Sequence, residues 1–582
     1  MLKERMIPGA GAKSLATFTI LSAGTEVSKQ HHVLSITVNK EVNRVGYATI
    51  IMLDGEASEQ SFSISNKPDF EPGKEIEIKS GYNNQEETIF KGIVIKHGIK
   101  VRKNNSVLVI QCKDKAVKMT GACKNAYYKD VKDSDVMEEL IGKYGLDKDI
   151  KPTIYNHKQL IQYNSTDWDF MLCRTDANGM LCFVDDNKIS ISKPEFAGNS
   201  VLTLQFGSTI LDLDAEIDAR FQYKNITGST WNHTTQELSD DTESERSHIP
   251  VAGNLDKDKL AGVLDEEKFT LINSAKMEDP EMQEWVNAMM MKHQLAKIRG
   301  SIRSDGSHAA KPGQLIQLKS AGDRFEGKLF VTGIRHEIEN GSWQTVFQFG
   351  INPEWFAETH KLQQPLAGGL LPAIEGLHTG IVTQLENDPD GEDRILVRIP
   401  VINKSDEGAW CRVCTLDAGN ERGSFFRPEI NDEVVVGFIN NDPRHGMVLG
   451  MCNSSDKPAP VKASDDNHEK GFQTRSKMKM IFNDDKKSFT LETPGGNKFI
   501  ISEDDKKIYF EDQNGNKITM NEDGIKLESI KDIILKATGD LKAEGVNLSI
   551  KGSAQAKMEG SSGAEFSSGG STTIKGSVVQ IN

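Results

Sequence analysis

Most of this chain repeats its apolar positions with a period of two, the period of a strand with one buried face. From Leu15 to about Lys118 such runs are short and separated by turn chemistry. Leu15 to Leu21 reads as a first strand, and Phe70-Glu-Pro-Gly73 as a turn before the strand Glu75 to Lys79. The period then becomes helical. Val136, Met137, Leu140, Ile141 and Tyr144 form one stripe, Asp135 and Glu138 have capping-box spacing, and Gly145 ends the element. A second helix starts at Thr166, carries Trp168, Phe170, Met171 and Leu172, and stops at Gly179. A hairpin follows, Met180 to Val184 and Lys188 to Ser192, turned by Asp185-Asp-Asn187.

Strand patterns return from Val201 to Tyr223, and Asn232 to Ser247 reads as an exposed polar loop. A third helix has Asp279 as N-cap and Pro280 at its first position, with Met282, Trp285, Val286, Met289 and Met290 inward as core filling. After the turn Lys311-Pro-Gly313, strands run from Leu315 to Phe349, and Pro365 to Pro372 is a Gly/Pro-rich linker. Residues 376–456 then offer four strand candidates of similar length, Thr379 to Val382, Ile395 to Ile399, Trp410 to Val413 and Glu433 to Phe438, which suggest a compact barrel.

The last hundred residues change character. Asp484-Asp-Lys-Lys487 recurs as Asp504-Asp-Lys-Lys507, and Gly496-Asn-Lys-Phe-Ile500 recurs as Gly515-Asn-Lys-Ile-Thr519, a repeat of 19 to 20 residues. Phe482 to Met520 is therefore expected to form a wider collar. Beyond Gly524 the runs shorten: Ile533, Leu535 and Ala537, then Val546, Leu548 and Ile550, then Ala554, Ala556 and Met558 alternate strictly, with Gly539, Gly545, Gly552 and Gly560 between them. Each run reads as a strand and each glycine as a corner. Such strands cannot all bury their apolar faces within one chain, so the pattern calls for several copies around a narrow dry axis. Three chains of about 14 strands each, stacked at ~4.8 Å, would build a needle of about 70 Å.

Composition narrows the function. With 37 % hydrophobic and 27 % charged residues over 582 positions, the chain has material for several cores. Its formal charge of −15 and the lack of an obvious Lys/Arg block argue against nucleic acid as a partner. No window holds the ~18 to 20 apolar residues of a spanning helix, and Lys3, Arg5, Pro8 and Lys13 interrupt Leu2 to Gly24 before a signal-peptide core forms. Seven cysteines without a secretory signal suggest reduced thiols in a cytosolic setting.

Candidate chemistry is sparse. HExxH, GxxxxGK[ST] and G-x-S-x-G are all missing from the sequence, so no catalytic residue is nominated. Cys411 and Cys414 spell CxxC on a strand-like run where residues three apart face opposite ways, and no second pair completes a zinc site. Asp388 to Asp393 lacks EF-hand spacing and reads as a polar turn, and the adjacent His31 and His32 also diverge. No cofactor or metal is expected.

Several ordered stretches carry a resemblance. Trp410-Cys-Arg-Val413, Ala418-Gly419, Pro428-Glu-Ile-Asn-Asp-Glu-Val-Val-Val-Gly-Phe438, Asp442-Pro443 and Gly450 resemble the OB-fold module of the VgrG family, the tip proteins of type VI secretion and related contractile injection systems. Gln162 to Phe170 followed by Gly179 is similar to that family's hub segment. The resemblance implies a mainly β protein with minor α content. Residues 1–365 would be a hub with two tube-like β-barrel subdomains and helical insertions, 366–375 a linker, 376–456 the OB-fold, 457–476 a second linker and 477–582 a trimeric β-helix needle, or prism.

It further implies a non-enzymatic homotrimer that caps a hexameric inner tube, contacts baseplate proteins, carries effector cargo and pierces an envelope. Such a protein is assembled in the bacterial cytoplasm and then ejected with the tube. A phage baseplate hub is the alternative within the same architecture, and a polysaccharide-active β-helix enzyme is the alternative from another class. Ile533, Leu535, Val546, Leu548, Ile550 and Met558 are the expected trimer core of the needle. Ile574, Val578, Val579, Ile581 and Asn582 are the expected docking point for a PAAR-repeat tip protein.

Overall fold

The computed structural model describes residues 15–103, 105–245, 249 and 252–581. Lys3, Arg5, Pro8, Lys13 and Asn582 lie outside the described residues, as does the end of the polar stretch at Arg246 and Ser247. The chain divides into two compact units, 1–373 and 374–582.

The first unit is organised by one 13-stranded sheet. From the edge strand Ile210–Ile217 the order runs through Ile298–Asp305, Ser342–Phe349, Gly327–Glu339, Val33–Glu41, Tyr47–Leu53, Ser106–Lys113, Gln85–Val101 and Glu75–Tyr82 to Ala16–Ser22 and Thr25–Glu26, while Leu315–Lys319 and Leu202–Gln205 branch from Gly327–Glu339. Two cores line it. Ile36, Ile50, Ile78, Phe90, Ile110 and Trp343 fill the first, and Ile302, Ile316, Leu318, Val331 and Phe347 the second. The Ala16 amide donates to Gly341 O at 3.0 Å, so the first half of the sheet curls back toward the far end of its own neighbour. The strands here are not uniformly short: Gln85–Val101 spans 17 residues, and at Gly92 it passes so close to its neighbour that a Cβ there would sit 2.2 Å from Lys113 O.

Two α/β insertions sit on this scaffold. The first holds the helix Asp133–Gly142, which starts two residues before the expected cap because Asp135 occupies the third helical position and its carboxylate accepts the Lys132 amide at 3.2 Å. The second helix is Asp167–Ala177, with Thr166 capping the Asp169 amide, and the hairpin Leu181–Asp185 and Lys188–Ser192 turns on Asp186 and Asn187 with φ of 53° and 74°. The helix expected third follows a short one at Lys257–Ala261 and spans Asp279–Leu295, with Glu278, not Asp279, at the cap, and Met282, Val286, Met289 and Met290 pack on Ile226 and Leu271. The loop read over 232–247 contains two short strands, Glu237–Leu238 and Thr242–Glu243, which pair with Asn225–Asn232. Lys292 ties the two insertions together: its Nζ lies 2.6 Å from Asp176 Oδ1, both side chains are buried, and Asp176 Oδ2 also accepts the Phe356 amide.

The second unit opens with a closed barrel of five strands, His378–Gln384, Ile395–Arg398, Ala409–Val413, Gly446–Met451 and Glu433–Phe438. The fifth, Gly446–Met451, was not among the sequence candidates; glycines at 446 and 450 break its apolar run. Val382, Ile395, Val397, Cys411, Val434, Val436 and Val448 form the core. Seven short strands follow as one antiparallel meander, Glu469–Gln473, Lys479–Asn483, Ser488–Glu492, Lys498–Ser502, Lys507–Glu511, Lys517–Asn521 and Gly524–Glu528. The first of them lies inside the expected 457–476 linker, where Lys470 and Phe472 face Phe482 and Met480 of the next strand and so extend its alternation.

Candidate functional site

The meander is built on a strict register. Its direct cross-strand neighbours run Phe472, Met480, Leu491, Phe499, Phe510, Ile518, Leu527 in one column, and Phe482, Phe489, Ile501, Ile508, Met520, Ile525 in the next. Both columns lie on one face, because each pair of positions differs by two along its strand. Phe499 and Phe510 stack at 4.5 Å and 16°, Phe482 and Phe489 approach to 5.1 Å, and Phe426 of the barrel's loop stacks on Phe472 at 5.0 Å and 9°. The opposite face is polar at its rim: Lys479, Glu492, Lys498, Glu511, Lys517 and Glu528 alternate in sign down one column, with Lys517 3.2 Å from Glu511.

Repetition fixes the turns. Asn483, Ser502 and Asn521, 19 residues apart, each accept a turn amide, from Lys486, Asp505 and Asp523 respectively. At the other edge Asn497 and Asn516 accept the amides of Gln513 and Ile530, so each turn is tied to the next one down. The Asp-Asp-Lys-Lys motifs are these turns.

What the chain does not do is cover the apolar face. A trough of about 960 Å³ runs along it, lined by Phe426, Phe472, Met480, Leu491, Phe499, Phe510 and Ile533 among others. Phe482 is 43 % exposed, Phe510 39 % and Ile525 71 %. A sheet with 13 aligned apolar side chains and no layer over them is an unfinished core. The tail continues the theme. Beyond Ser529 the described residues form no strand within the chain. Ile533, Leu535, Val546, Leu548, Ile550 and Met558 are all exposed, as are Ile574, Val578, Val579 and Ile581 at the tip; the chain by itself brings neither set together. A closed prism is therefore not a property of one copy. The meander's apolar face went unread in the sequence, although Met480/Phe482, Phe489/Leu491 and Phe499/Ile501 carry the two-residue spacing that marks it.

The remaining candidates are structural. Cys411 is buried in the barrel core and desolvation pushes its thiol up to about 11, while Cys414 lies past the strand end and is exposed. Asp388 is a turn organiser: the Arg394 guanidinium pairs with it and the amides of Asp390, Glu392 and Arg394 donate to it, which holds its carboxyl well below the usual range. His31 is partly buried and His32 exposed, and no cluster of three or more metal-ligating side chains occurs among the described residues. No helix among them is long and apolar enough to cross a membrane.

Residues 378–452, the five-stranded barrel, match the family described as the type VI secretion system/phage-baseplate injector OB domain. Residues 12–340 match the one described as the Alg8 N-terminal domain. Among curated proteins, the type VI secretion spike proteins VgrG1b and VgrG1a of Pseudomonas aeruginosa are each 22 % identical over 204 residues; the match covers 33 % of this chain but only 27 % and 31 % of theirs. Among solved structures, a tail protein of Neisseria meningitidis is 12 % identical with a TM-score of 0.42, covering 59 % of this chain and 98 % of that one. A Francisella PdpA–VgrG complex is 11 % identical with a TM-score of 0.40, covering 88 % and 80 %. With more than half of its residues inside the first model and an injector OB domain directly behind it, the chain belongs to the family of the Alg8 N-terminal domain and is of the VgrG type.

Proposed function

We propose that this protein is the central spike of a contractile injection machine, working by mechanics rather than catalysis. The observation that carries the reading is the uncovered apolar face of the meander. Three copies placing these faces toward one axis would bury the phenylalanine columns and leave the Lys/Glu ladders in water. The tail strands would then find partners in the neighbouring chains, with Ile533, Leu535, Val546, Leu548, Ile550 and Met558 turned inward. Continuous backbone ladders around a dry core resist compression along the axis, which a puncturing device needs.

In this reading residues 1–365 form the hub that caps a hexameric inner tube and meets the baseplate, 376–456 narrow it, and 477–582 are the needle. The apolar tip at Ile574, Val578, Val579 and Ile581 would be sealed by a PAAR-repeat protein, and the spike would be loaded with effector in the cytoplasm and ejected with the tube. Three chains carry three times −15 in formal charge, so apolar and backbone contacts must hold them together. Light scattering of the purified chain at micromolar concentration should give the mass of three copies; a monodisperse monomer would refute the proposal.

A further inference from the structure

Three lysines are buried among the described residues, and two of them are neutralised by carboxylates. Lys40 Nζ lies 2.5 Å from Asp185 Oδ1 and 2.9 Å from Asp186 Oδ1, and Lys292 Nζ lies 2.6 Å from Asp176 Oδ1. Lys297 is the third. It makes no ion pair with any described residue, and its Nζ makes one hydrogen bond, to Leu255 O at 2.9 Å. The backbone fixes it on both sides. Lys297 joins the helix Asp279–Leu295 to the strand Ile298–Asp305; its amide donates to Gln294 O, and its carbonyl accepts the Asp218 amide at 3.1 Å.

The side chain lines a pocket of about 410 Å³. The other charged residues on its wall are Asp256, Lys257 and Asp258, and Gln222, Ile249 and Leu255 are neutral members of it. Asp256 and Asp258 are exposed, and the Asp256 carboxylate accepts the amides of Asp258 and Lys259 as the cap of the short helix Lys257–Ala261. Lys257 Nζ donates to Lys224 O, and Asp218, beside the Lys297 backbone, is held by Arg220 and Arg299. None of these groups supplies a direct counter-charge. Burial pushes the Lys297 amine below the usual lysine value, and the more distant Asp256 offsets part of that. Hydrogen bonding points the same way: an ammonium would leave two of its three donors without a protein acceptor, whereas a neutral amine gives one N–H to Leu255 O and keeps a lone pair. A desolvated amine in a pocket is the form of lysine that condenses with carbonyl groups.

We propose that Lys297 is a nucleophilic amine that captures a small aldehyde or ketone in this pocket as a reversible imine. The Nζ lone pair adds to the carbonyl carbon, and one Nζ proton passes to the carbonyl oxygen to give a carbinolamine. Loss of that hydroxyl as water, together with the remaining Nζ proton, leaves the C=N bond. Addition of water runs the sequence backward and frees the ligand, so no oxidant or reductant takes part. The first unit thereby carries a small carbonyl compound, a role separate from piercing.

The test treats the full chain with propanal and sodium cyanoborohydride, which passes hydride to an imine and fixes it as a propyl amine. Peptide mass spectrometry then follows each lysine over time. At about pH 7 Lys297 should be propylated at least ~10-fold faster than the exposed Lys118 and Lys129, since each unit of amine pKa is tenfold in neutral fraction. Lys292, just as buried but paired with Asp176, should stay unmodified. Raising the pH by about 2 units should speed the exposed lysines about 100-fold and Lys297 distinctly less. Propylation of Lys297 no faster than that of Lys118 overturns the proposal. So does propylation of Lys292 alongside it, because that reports opening of the fold rather than a site. Neither result depends on how many copies assemble, so failure here leaves the spike reading untouched.

Discussion

Phe510 and Tyr509 are neighbours on one strand of the meander and point to opposite faces, and a single chain and an assembly rank them differently. In the single chain Tyr509 is the better covered of the two, whereas Phe510 is 39 % exposed. If the chain functioned alone, Tyr509→Ala would cost at least as much as Phe510→Ala. If the apolar face meets two other copies, the order inverts. Of the ~200 Å² an aromatic side chain can bury, about 80 Å² of Phe510 remains to be covered, worth about 2 kcal/mol per chain at ~25 cal/mol/Å². Each trimer carries the change three times, giving about 6 kcal/mol, or roughly four powers of ten in the association constant of three chains. Because that constant scales with the square of concentration, the concentration of half-dissociation should rise about 100-fold. Sedimentation velocity over a dilution series reads this directly, with Tyr509→Ala as the matched control. Phe510→Ala dissociating no more readily than Tyr509→Ala would refute burial of this face.

The same structure sets four further outcomes. Leu548→Asp would bring three carboxylates together near the axis at several kcal/mol each, so the thermal midpoint of the assembly should fall; a wild-type melt would show that Leu548 does not point inward. Removing residues 577–582 should leave the three-chain mass intact but abolish binding of the PAAR-repeat protein in a calorimetric titration. Asp176→Ala leaves the Lys292 ammonium buried without its partner and should lower unfolding stability of the first unit by about 3 to 5 kcal/mol in urea titrations. Burial lowers the pKa of His293 to about 4 and of His336 to about 3, so below 6.5 the unfolded chain takes up protons that the folded one refuses. Stability should therefore fall as pH drops from 7 to 5, by about 2 kcal/mol for each histidine at pH 5, and His336→Gln should flatten the profile.

Local chemistry was legible wherever a residue's partner lies a few positions away. Thr166 reads as a cap because it bonds Asp169, and Asp186-Asn187 reads as a hairpin turn because its left-handed conformations suit those side chains. The first helix shows the limit of such reading: Asp135 does bond a backbone amide three residues away, but backward to Lys132 rather than forward, so the same acid marks a different turn. Gly446–Met451 escaped notice because what makes it a strand is pairing with Ala409–Val413 and Glu433–Phe438, and neither its glycines nor its composition reports that. The apolar columns of the meander are visible as alternation, yet alternation names a face without saying what covers it. In the tail the sequence pattern leads to an expectation of strands, and the described residues beyond Glu528 form none within the chain.

In the spike proposed above, the asparagine ties of the meander would set how the needle can change length. Asn497 and Asn516 hold successive turns in the same way, and Asn483, Ser502 and Asn521 cap the opposite ones, so 19 residues form a cassette of two strands closed at both edges. Duplicating or excising a whole cassette adds or removes about 9.6 Å of axis and returns every phenylalanine to the same column. Any shift of one residue instead turns a strand over and puts lysines where the phenylalanines belong. The length of the proposed shaft would thereby be quantised, and shafts of different reach would arise by counting cassettes rather than by redesigning a core.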